Sequence, residues 1–239
     1  MKAAHQAHVQ RVVMTSAFGA SGMGYKKDKN DYIFTEKDWS YMGAGSTMDA
    51  YYKSKTLAEK AAWDYVKNEA PDMELATILP VAVFGPILGG KASGSNSLLL
   101  MLLTGGLPGL MDMYLPVVDV RDLARAHVLA LTTPEAAGQR FIISDEMSYS
   151  MKDVSNILKQ GYPEDAKKVP SMVIPNFLLK MIAPFNHTIR DTAKVLGIDR
   201  KMSSKNAHDL LNWEPTIAPK QSVLDAEKSI IDAGLTKKR

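Results

Sequence analysis

Short apolar runs alternate with amphipathic stretches along the chain up to about residue 160. Short runs of this kind predict four strands, at residues 9–15, 74–81, 114–118 and 140–144, and the first of them, rich in β-branched residues, is expected to be buried. Apolar residues at helical spacing predict helices around them, at residues 2–8, 49–68, 95–104, 121–131 and 150–160. Strands that alternate with helices in this way indicate an α/β fold with a parallel sheet covered on both faces.

The longest predicted helix, at residues 49–68, carries an apolar stripe that we expect to face the core. The stripe consists of Leu57, Ala58, Ala61, Ala62, Tyr65 and Val66. Ahead of this helix lies a long polar loop, at residues 17–47, and a loop of this length inside a compact domain is usually functional or disordered. Beyond residue 161, prolines punctuate short helices, with a helix cap at Ser203–Ser204 and a last helix at residues 219–233.

Composition and charge then narrow the class of protein. The 239 residues are 46% hydrophobic and 23% charged, a balance typical of a globular chain. A net charge of +3, from 29 basic and 26 acidic residues, gives no reason to expect a nucleic acid partner. The absence of cysteine excludes disulfides, thiolate metal ligands and cysteine nucleophiles. The longest apolar run, at residues 97–103, is too short for a membrane span, and residues 1–8 lack the apolar core of a signal peptide, so we expect a cytoplasmic protein with no membrane partner.

The pair Tyr51-x-x-x-Lys55 lies near the start of the longest predicted helix. Residues four apart share a helix face, and a lysine ammonium beside a phenol favours the phenolate. Such a tyrosine can exchange a proton with an alcohol or a carbonyl. The spacing alone also fits an ordinary half-buried tyrosine, and it recurs in the polar loop at Tyr25 and Lys29.

Two further stretches follow predicted strands, at the end where sites form in open α/β sheets. Thr15 and Ser16 place two hydroxyls after the first strand, where they could bind a substrate carbonyl or simply start a turn. Residues 80–86 run from the second strand into a Gly-Pro turn. Their backbone groups could bind an amide, and the alternative is a rigid strand exit without a ligand.

Several other kinds of chemistry lack the residues they need. The glycine run at residues 19–24 follows a strand, but no apolar helix follows its last glycine, so we reject a dinucleotide-binding loop and expect a loop near the substrate. The five histidines form no ligand set, and we expect no metal site. The chain has neither a Gly-x-Ser-x-Gly elbow nor a phosphate-binding lysine loop, which leaves hydrolase and phosphoryl-transfer functions without support.

Four motifs occur in the order found in one protein family. They are Arg11-Val-Val-Met-Thr-Ser16, the run from Tyr51 to Trp63, Pro80-Val-Ala-Val-Phe-Gly-Pro86, and the run from Val118 to His127. Together they resemble the extended short-chain dehydrogenases/reductases of the NAD-dependent epimerase/dehydratase superfamily, and within them the dihydroflavonol-reductase-like aldehyde and ketone reductases. The resemblance extends from residue 2 to about residue 230. It implies the C-terminal part of a Rossmann-type doubly wound parallel sheet plus a small, mostly helical substrate-binding region.

The resemblance implies an NAD(P)-dependent oxidoreductase that reduces small aldehydes or ketones to alcohols. Tyr51 would be the general acid that protonates the carbonyl oxygen. Lys55 would stabilise the phenolate and hydrogen-bond the nicotinamide ribose, so both residues would contact the cofactor, NADP or NAD. The residues that would line the nicotinamide are Pro80, Val81 and Val83. The family's active-site serine falls at Ala17, so Ser16 is the candidate for orienting the carbonyl, with Thr15 as the alternative.

The chain departs from the family pattern at its front. The family's glycine fingerprint would precede Met1, so we expect an incomplete cofactor site and weak NADPH binding by the chain alone. We expect a partial Rossmann-type domain at residues 1–145, with substrate-side insertions near 84–113, and a substrate-binding region at 146–239. The alternatives are an inactive or non-enzymatic remnant and a sugar-nucleotide epimerase or dehydratase. We expect a monomer or homodimer that binds a small carbonyl compound.

Overall fold

The computed structural model describes residues 1–25 and 32–237, and the chain forms two compact units. Unit 1 comprises residues 1–81, 122–146 and 200–215. Unit 2 comprises residues 82–121, 147–199 and 216–239. Lys29, which completes the second Tyr-x-x-x-Lys match, lies outside the described residues.

The described residues form eight strands and nine α-helices. The strands are β1 (Arg11–Thr15), β2 (Ile33–Phe34), β3 (Glu74–Pro80), β4 (Ala82–Phe84), β5 (Tyr114–Asp119), β6 (Arg140–Ile143), β7 (Ser148–Ser150) and β8 (Lys201–Met202). The α-helices are α1 (Lys2–Gln6), α2 (Ala50–Glu69), α3 (Asn96–Thr104), α4 (Val120–Thr132), α5 (Met151–Gly161), α6 (Asn176–Ile182), α7 (His187–Thr192), α8 (Lys205–Leu211) and α9 (Pro219–Asp232). Each predicted strand and helix has a counterpart within a few residues, whereas β2, β4, β7 and β8 are too short to leave a periodic pattern.

Unit 1 is built on a three-stranded parallel sheet in the order β1–β3–β6. The central strand β3 is buried from Leu75 to Leu79, and β6 is buried throughout. The prediction that β1 is buried is wrong, because β1 lies at the edge of the sheet, where its residues are half-buried and Thr15 is exposed. The register pairs Thr15 with Ile78 and Pro80 with Ile143, so the three strands end at the same edge of the sheet.

The helix α2 buries only one residue of its predicted apolar stripe, Ala62. Its buried residues are Thr56, Glu59 and Ala62. The stripe residue Leu57 is 49% exposed, and Ala61 is exposed as well. Two of the three buried residues are polar, and hydrogen bonds compensate for their burial. The Thr56 hydroxyl donates to the Tyr52 carbonyl, and the partners of Glu59 are described below.

One arginine joins the start of β1 to the end of α4. Arg11 Nε donates to Glu74 Oε2 at 2.7 Å. Arg11 Nη1 donates to carbonyl oxygens at the end of α4, those of Ala130 (3.1 Å), Leu131 (3.2 Å) and Thr133 (2.5 Å). The last carbonyls of a helix have no partner inside the helix, so this side chain caps α4.

Unit 2 has its own sheet, in the order β4–β5–β7. β4 and β5 are parallel, and β7 is antiparallel to β5. Residues of α3, α5 and α9 pack into one apolar core with the sheet, among them Leu102, Leu158 and Ala226. A capping box of Ser150 and Asp153 begins α5.

The α/β fold class is confirmed, and the single predicted sheet is divided between the two units. The strand pattern places β5 in the same sheet as β1, β3 and β6, but β5 pairs with β4 and β7. The compact units also divide the chain differently from the expected domains at 1–145 and 146–239. Residues 82–121 belong to unit 2 and residues 200–215 belong to unit 1.

Candidate active site

Tyr51 and Lys55 lie in the first two turns of α2, beside the end of β1. The Asp49 carboxylate accepts a hydrogen bond from the Tyr52 N–H at 2.8 Å, which caps the helix and places Tyr51 in its first turn. The side chain of Tyr51 is 57% exposed. Lys55 Nζ donates to the backbone carbonyl of Thr15 at 3.3 Å. The helix thus presents both predicted residues at the edge of the sheet where the strands end.

The donor set of Lys55 fits the ribose that the family resemblance assigns to it. An ammonium group has three N–H donors. The Thr15 carbonyl is the one acceptor that residues 1–25 and 32–237 provide for it. Two donors are left, which matches the hydroxyl groups of a ribose.

Ser16 and Thr15 both direct their hydroxyls to partners inside unit 1. Ser16 is 2% exposed and donates to Glu59 Oε2 at 2.6 Å. Thr15 Oγ1 lies 2.7 Å from His127 Nε2, and His127 Nδ1 lies 2.9 Å from the Leu123 carbonyl oxygen. Since that carbonyl can only accept, Nδ1 of the neutral ring carries the proton and Nε2 accepts from Thr15. The catalytic role of Ser16 stays a prediction, and the described geometry gives its proton to Glu59 instead of to a carbonyl substrate.

A buried polar cluster lies one helical turn beyond Lys55, and we call Ser16, Glu59, Thr77 and Arg140 the Glu59 cluster. Glu59 Oε1 accepts from Thr77 Oγ1 at 2.8 Å and from Arg140 Nε at 2.7 Å. Burial alone would raise the pKa of the Glu59 carboxyl, but the hydrogen bond and charge of Arg140, together with the two hydroxyls, hold it below its ordinary value. The carboxylate is therefore charged at neutral pH. The sequence carries a signal for it, because Glu59 continues the four-residue spacing of the pair before it.

The glycine run at residues 19–24 is filled by aromatic rings. The run starts in a 3-10 turn, Phe18–Ala20. A Cβ atom on Gly19 would lie 1.8 Å from the ring of Tyr52, and one on Gly22 would lie 2.4 Å from the ring of Phe18. Gly19 and Gly22 therefore make room for neighbouring side chains, and the rejection of a dinucleotide-binding loop stays a prediction.

The residues predicted to line the nicotinamide belong to both units. Pro80 is the last residue of β3, and Val81 packs against an apolar cluster of unit 1 that includes Phe18. Val83 lies in β4 of unit 2, where its N–H donates to Ser95 Oγ at 3.1 Å. Their role toward a cofactor stays a prediction.

Among residues 1–25 and 32–237, no group of three or more His, Asp or Glu side chains is placed to hold a metal ion. His5, near the start of the chain, contacts Tyr65 and Asp72 instead. Within the same part of the chain, no helix is both long enough and apolar enough to cross a membrane.

Curated proteins of two activities are similar to the chain in sequence. The NADPH-dependent methylglyoxal reductase GRE2 of Saccharomyces cerevisiae is 33% identical over 177 residues, which are 68% of this chain and 51% of that protein. Cinnamoyl-CoA reductase 1 of Arabidopsis thaliana is 34% identical over 239 residues, which are 98% of this chain and 67% of that protein. The chain therefore spans between about half and two thirds of the length of these relatives. No family model matches it.

A solved structure supports the same assignment. The crystal structure of Gre2 from Candida albicans in complex with NADPH superposes with a TM-score of 0.71 and 28% sequence identity. The superposition covers 94% of this chain and 65% of that one. Fold, motif order and sequence identity agree, and the chain belongs to the extended short-chain dehydrogenases/reductases of the NAD-dependent epimerase/dehydratase superfamily.

Proposed function

We propose that the chain carries the catalytic part of an NADPH-dependent reductase that converts small aldehydes or ketones to alcohols. The observation that carries the proposal is the exposed phenol of Tyr51 on the same helix face as Lys55, whose ammonium is held at the end of β1. The names of two relatives, methylglyoxal reductase and cinnamoyl-CoA reductase, support reduction of a carbonyl compound. The NADPH dependence of the first relative supports the choice of cofactor.

NADPH, when bound, supplies the hydride that adds to the carbonyl carbon. The carbonyl oxygen then gains negative charge, and Tyr51 Oη donates its proton to that oxygen. The ammonium of Lys55, one turn along the helix, stabilises the phenolate that is left. Its bond to the Thr15 carbonyl fixes the lysine, so that the positive charge is in place before the proton moves. Proton uptake from solvent restores the phenol.

The remaining predicted residues have supporting parts in this proposal. We assign Pro80 and Val81 to the nicotinamide, since the strands in unit 1 end at the edge where Lys55 lies. The assignment of Val83 rests on the family resemblance alone. Ser16 joins β1 to α2 through Glu59, and in that way it supports the placement of Tyr51. The substrate is a small carbonyl compound, and the site of action that we propose is the cytoplasm.

The test is NADPH-dependent reduction of methylglyoxal and of cinnamaldehyde. The reaction is measured as the loss of NADPH absorbance. Two proteins are compared: the 239-residue chain, and a fusion in which the nucleotide-binding part of the yeast relative precedes Met1. We expect the fusion to reduce at least one carbonyl. We expect the chain alone to bind NADPH weakly, because it matches 51% of the yeast relative and its glycine run packs against the rings of Tyr52 and Phe18.

Each alternative has its own outcome in this assay. A fusion that binds NADPH but reduces neither carbonyl would support a non-enzymatic remnant. Epimerisation of a UDP-sugar without carbonyl reduction would support a sugar-nucleotide epimerase. Tight NADPH binding by the chain alone, at micromolar concentration, would contradict the expectation that its cofactor site is incomplete.

A further inference from the structure

Arg140, the first residue of β6, connects two separate parts of unit 1. Its side chain is 9% exposed. On one side, Nε and Nη2 donate to the two carboxylate oxygens of Glu59 in α2, at 2.7 and 3.4 Å. On the other side, Nη1 donates to the backbone carbonyls of Glu36 (2.5 Å) and Asp38 (2.7 Å). Four of the five guanidinium N–H donors are thereby used, and they hold a helix and a loop together.

The loop bound by Arg140 has two further attachments, and we call residues 36–41 the 36–41 segment. The ring of Trp39 lies under the guanidinium of Arg140, 3.9 Å from its central carbon, at cation–π distance. Glu36 Oε1 accepts the backbone N–H of Ile142 in β6 at 3.0 Å. The segment is thus held against β6 by backbone, ring and carboxylate contacts.

The 36–41 segment in turn holds the glycine run that follows β1. Ser40 N–H donates to the Ala20 carbonyl at 2.9 Å, and Ser40 Oγ donates to the Gly19 carbonyl at 2.8 Å. Gly19 is the residue whose missing side chain leaves room for the ring of Tyr52. The ring of Tyr52 lies 5.3 Å from that of Tyr51. A continuous set of contacts therefore runs from Arg140 to the neighbour of the proposed acid.

We propose that Arg140 is a positioning residue for the proton transfer by Tyr51, and this proposal rests on the proposed function. Through Glu59 it fixes α2, which carries Tyr51, and through the 36–41 segment it fixes the loop that packs against the neighbouring Tyr52. A lysine could also balance the negative charge of Glu59, since one positive charge is enough for that purpose. The two carbonyl contacts and the stacked ring use the planar fork of arginine, which lysine cannot reproduce.

Four variants of the full chain separate positioning from charge balance. Arg140→Met leaves Glu59 charged and unpaired, so its stability falls for reasons unrelated to position. Glu59→Gln with Arg140→Met removes both buried charges and keeps the fold testable if the single variant fails to fold. Arg140→Lys keeps the charge without the fork. Arg11→Met is the matched control, since it removes another largely buried arginine of unit 1 at the far end of β1.

The first measurement is cleavage by chymotrypsin after Trp39 and Tyr41. We expect cleavage about tenfold faster than in the wild-type chain for the double variant and for Arg140→Lys, because local opening of the segment governs access. We expect no such increase for Arg11→Met. The second measurement is the NMR signal of the Tyr51 ring in chain labelled with ¹³C-tyrosine, assigned with Tyr51→Phe. That signal should shift in the double variant and stay unchanged in Arg11→Met.

The third measurement is the kinetics of the fusion described above. The double variant should lose about tenfold or more in kcat, since small misplacements of reacting groups are costly, with the NADPH dissociation constant within about twofold. If the wild-type fusion reduces no carbonyl, the proposed function fails, and cleavage and NMR still decide the positioning. The proposal is overturned if the double variant is cleaved no faster than the wild-type chain and its Tyr51 signal does not move.

Discussion

Among the residues that the structure describes, two glutamates are fully buried, and their pKa values are shifted in opposite directions. Glu59 in α2 and Glu227 in α9 are both 0% exposed. Glu59 has an arginine, two hydroxyls and the indole N–H of Trp63 as partners, whereas the described residues give neither carboxylate oxygen of Glu227 a hydrogen-bond donor. Burial, with a smaller contribution from the charge of Asp165, raises the pKa of Glu227 to about 8, while Arg140 and the hydroxyls keep that of Glu59 below its ordinary value. Partners, and not burial, decide which of the two is charged.

The difference fits the place of each residue. Glu59 is a charged anchor in unit 1, one turn from Lys55. Glu227 packs against α5, where a Cβ atom on Gly161 would lie 2.8 Å from Glu227 Oε2, so the glycine makes room for the carboxyl group. At neutral pH the folded chain holds Glu227 mostly protonated, which allows an acid to lie beside Leu224 without a counter-ion.

The largest effect on stability is expected for Arg140→Met. This change turns Glu59 into a buried charge without its counter-ion, and such losses cost about 3–5 kcal/mol of unfolding free energy. Urea unfolding at neutral pH measures it. Adding Glu59→Gln should recover most of the loss, because both buried charges are then gone. A loss under about 1 kcal/mol in the single variant would show that Glu59 does not depend on Arg140.

Glu227→Gln tests the other side of the comparison through pH. The pKa of Glu227 is raised in the folded chain to about 8 from an ordinary value of 4.5. The contribution of this group to the unfolding free energy is therefore fully present below about pH 4.5 and is lost as the pH rises through about 8. Gln cannot titrate. Between pH 5 and pH 8 the wild type should lose on the order of 3 kcal/mol relative to the variant. Parallel stability–pH curves from urea unfolding would mean that Glu227 has a partner after all.

A smaller effect is expected for Ser16→Ala, which removes one donor from the Glu59 cluster. Leaving one lone pair of a buried carboxylate without its donor costs about 1–2 kcal/mol. The control is Ser54→Ala in α2. The hydroxyl of Ser54 is exposed and donates only to the Tyr51 carbonyl. In the active fusion, Ser16→Ala should lower kcat modestly. A loss of more than about a hundredfold at unchanged stability would restore Ser16 as the residue that orients the carbonyl.

Periodicity predicted the elements that are long enough to show it, and it failed where polar contacts decide the packing. The helix at 49–68 was placed within two residues, because its length and its cap are local properties. Its buried face could not be predicted from the periodicity of apolar residues. Glu59 is buried beside Arg140, which lies eighty-one residues away along the chain and compensates for its charge. The same limit applies to β5, whose partner β4 is three residues long.

The candidate site shows the same division. The spacing within one helix, which a sequence displays directly, indicated Tyr51 and Lys55, and the family resemblance selected this pair over Tyr25 and Lys29. The hydrogen-bond partners of the Thr15 and Ser16 hydroxyls are His127 and Glu59, and these partners come close to the two hydroxyls only in the folded chain. The contact between Trp39 and Arg140 leaves no periodic signal in the sequence, although it helps to hold the 36–41 segment against β6.

The most direct test of the account compares Tyr51→Phe with Tyr52→Phe in the fusion that carries the nucleotide-binding part. The two tyrosines are neighbours that differ in their access to solvent. Tyr51 is exposed, whereas Tyr52 is half-buried and its pKa is raised by that burial. With NADPH and methylglyoxal, we predict that Tyr51→Phe lowers kcat by about 10²–10⁴-fold with NADPH affinity retained, and that Tyr52→Phe keeps most of its activity. Reduction at the wild-type rate by Tyr51→Phe would contradict the account.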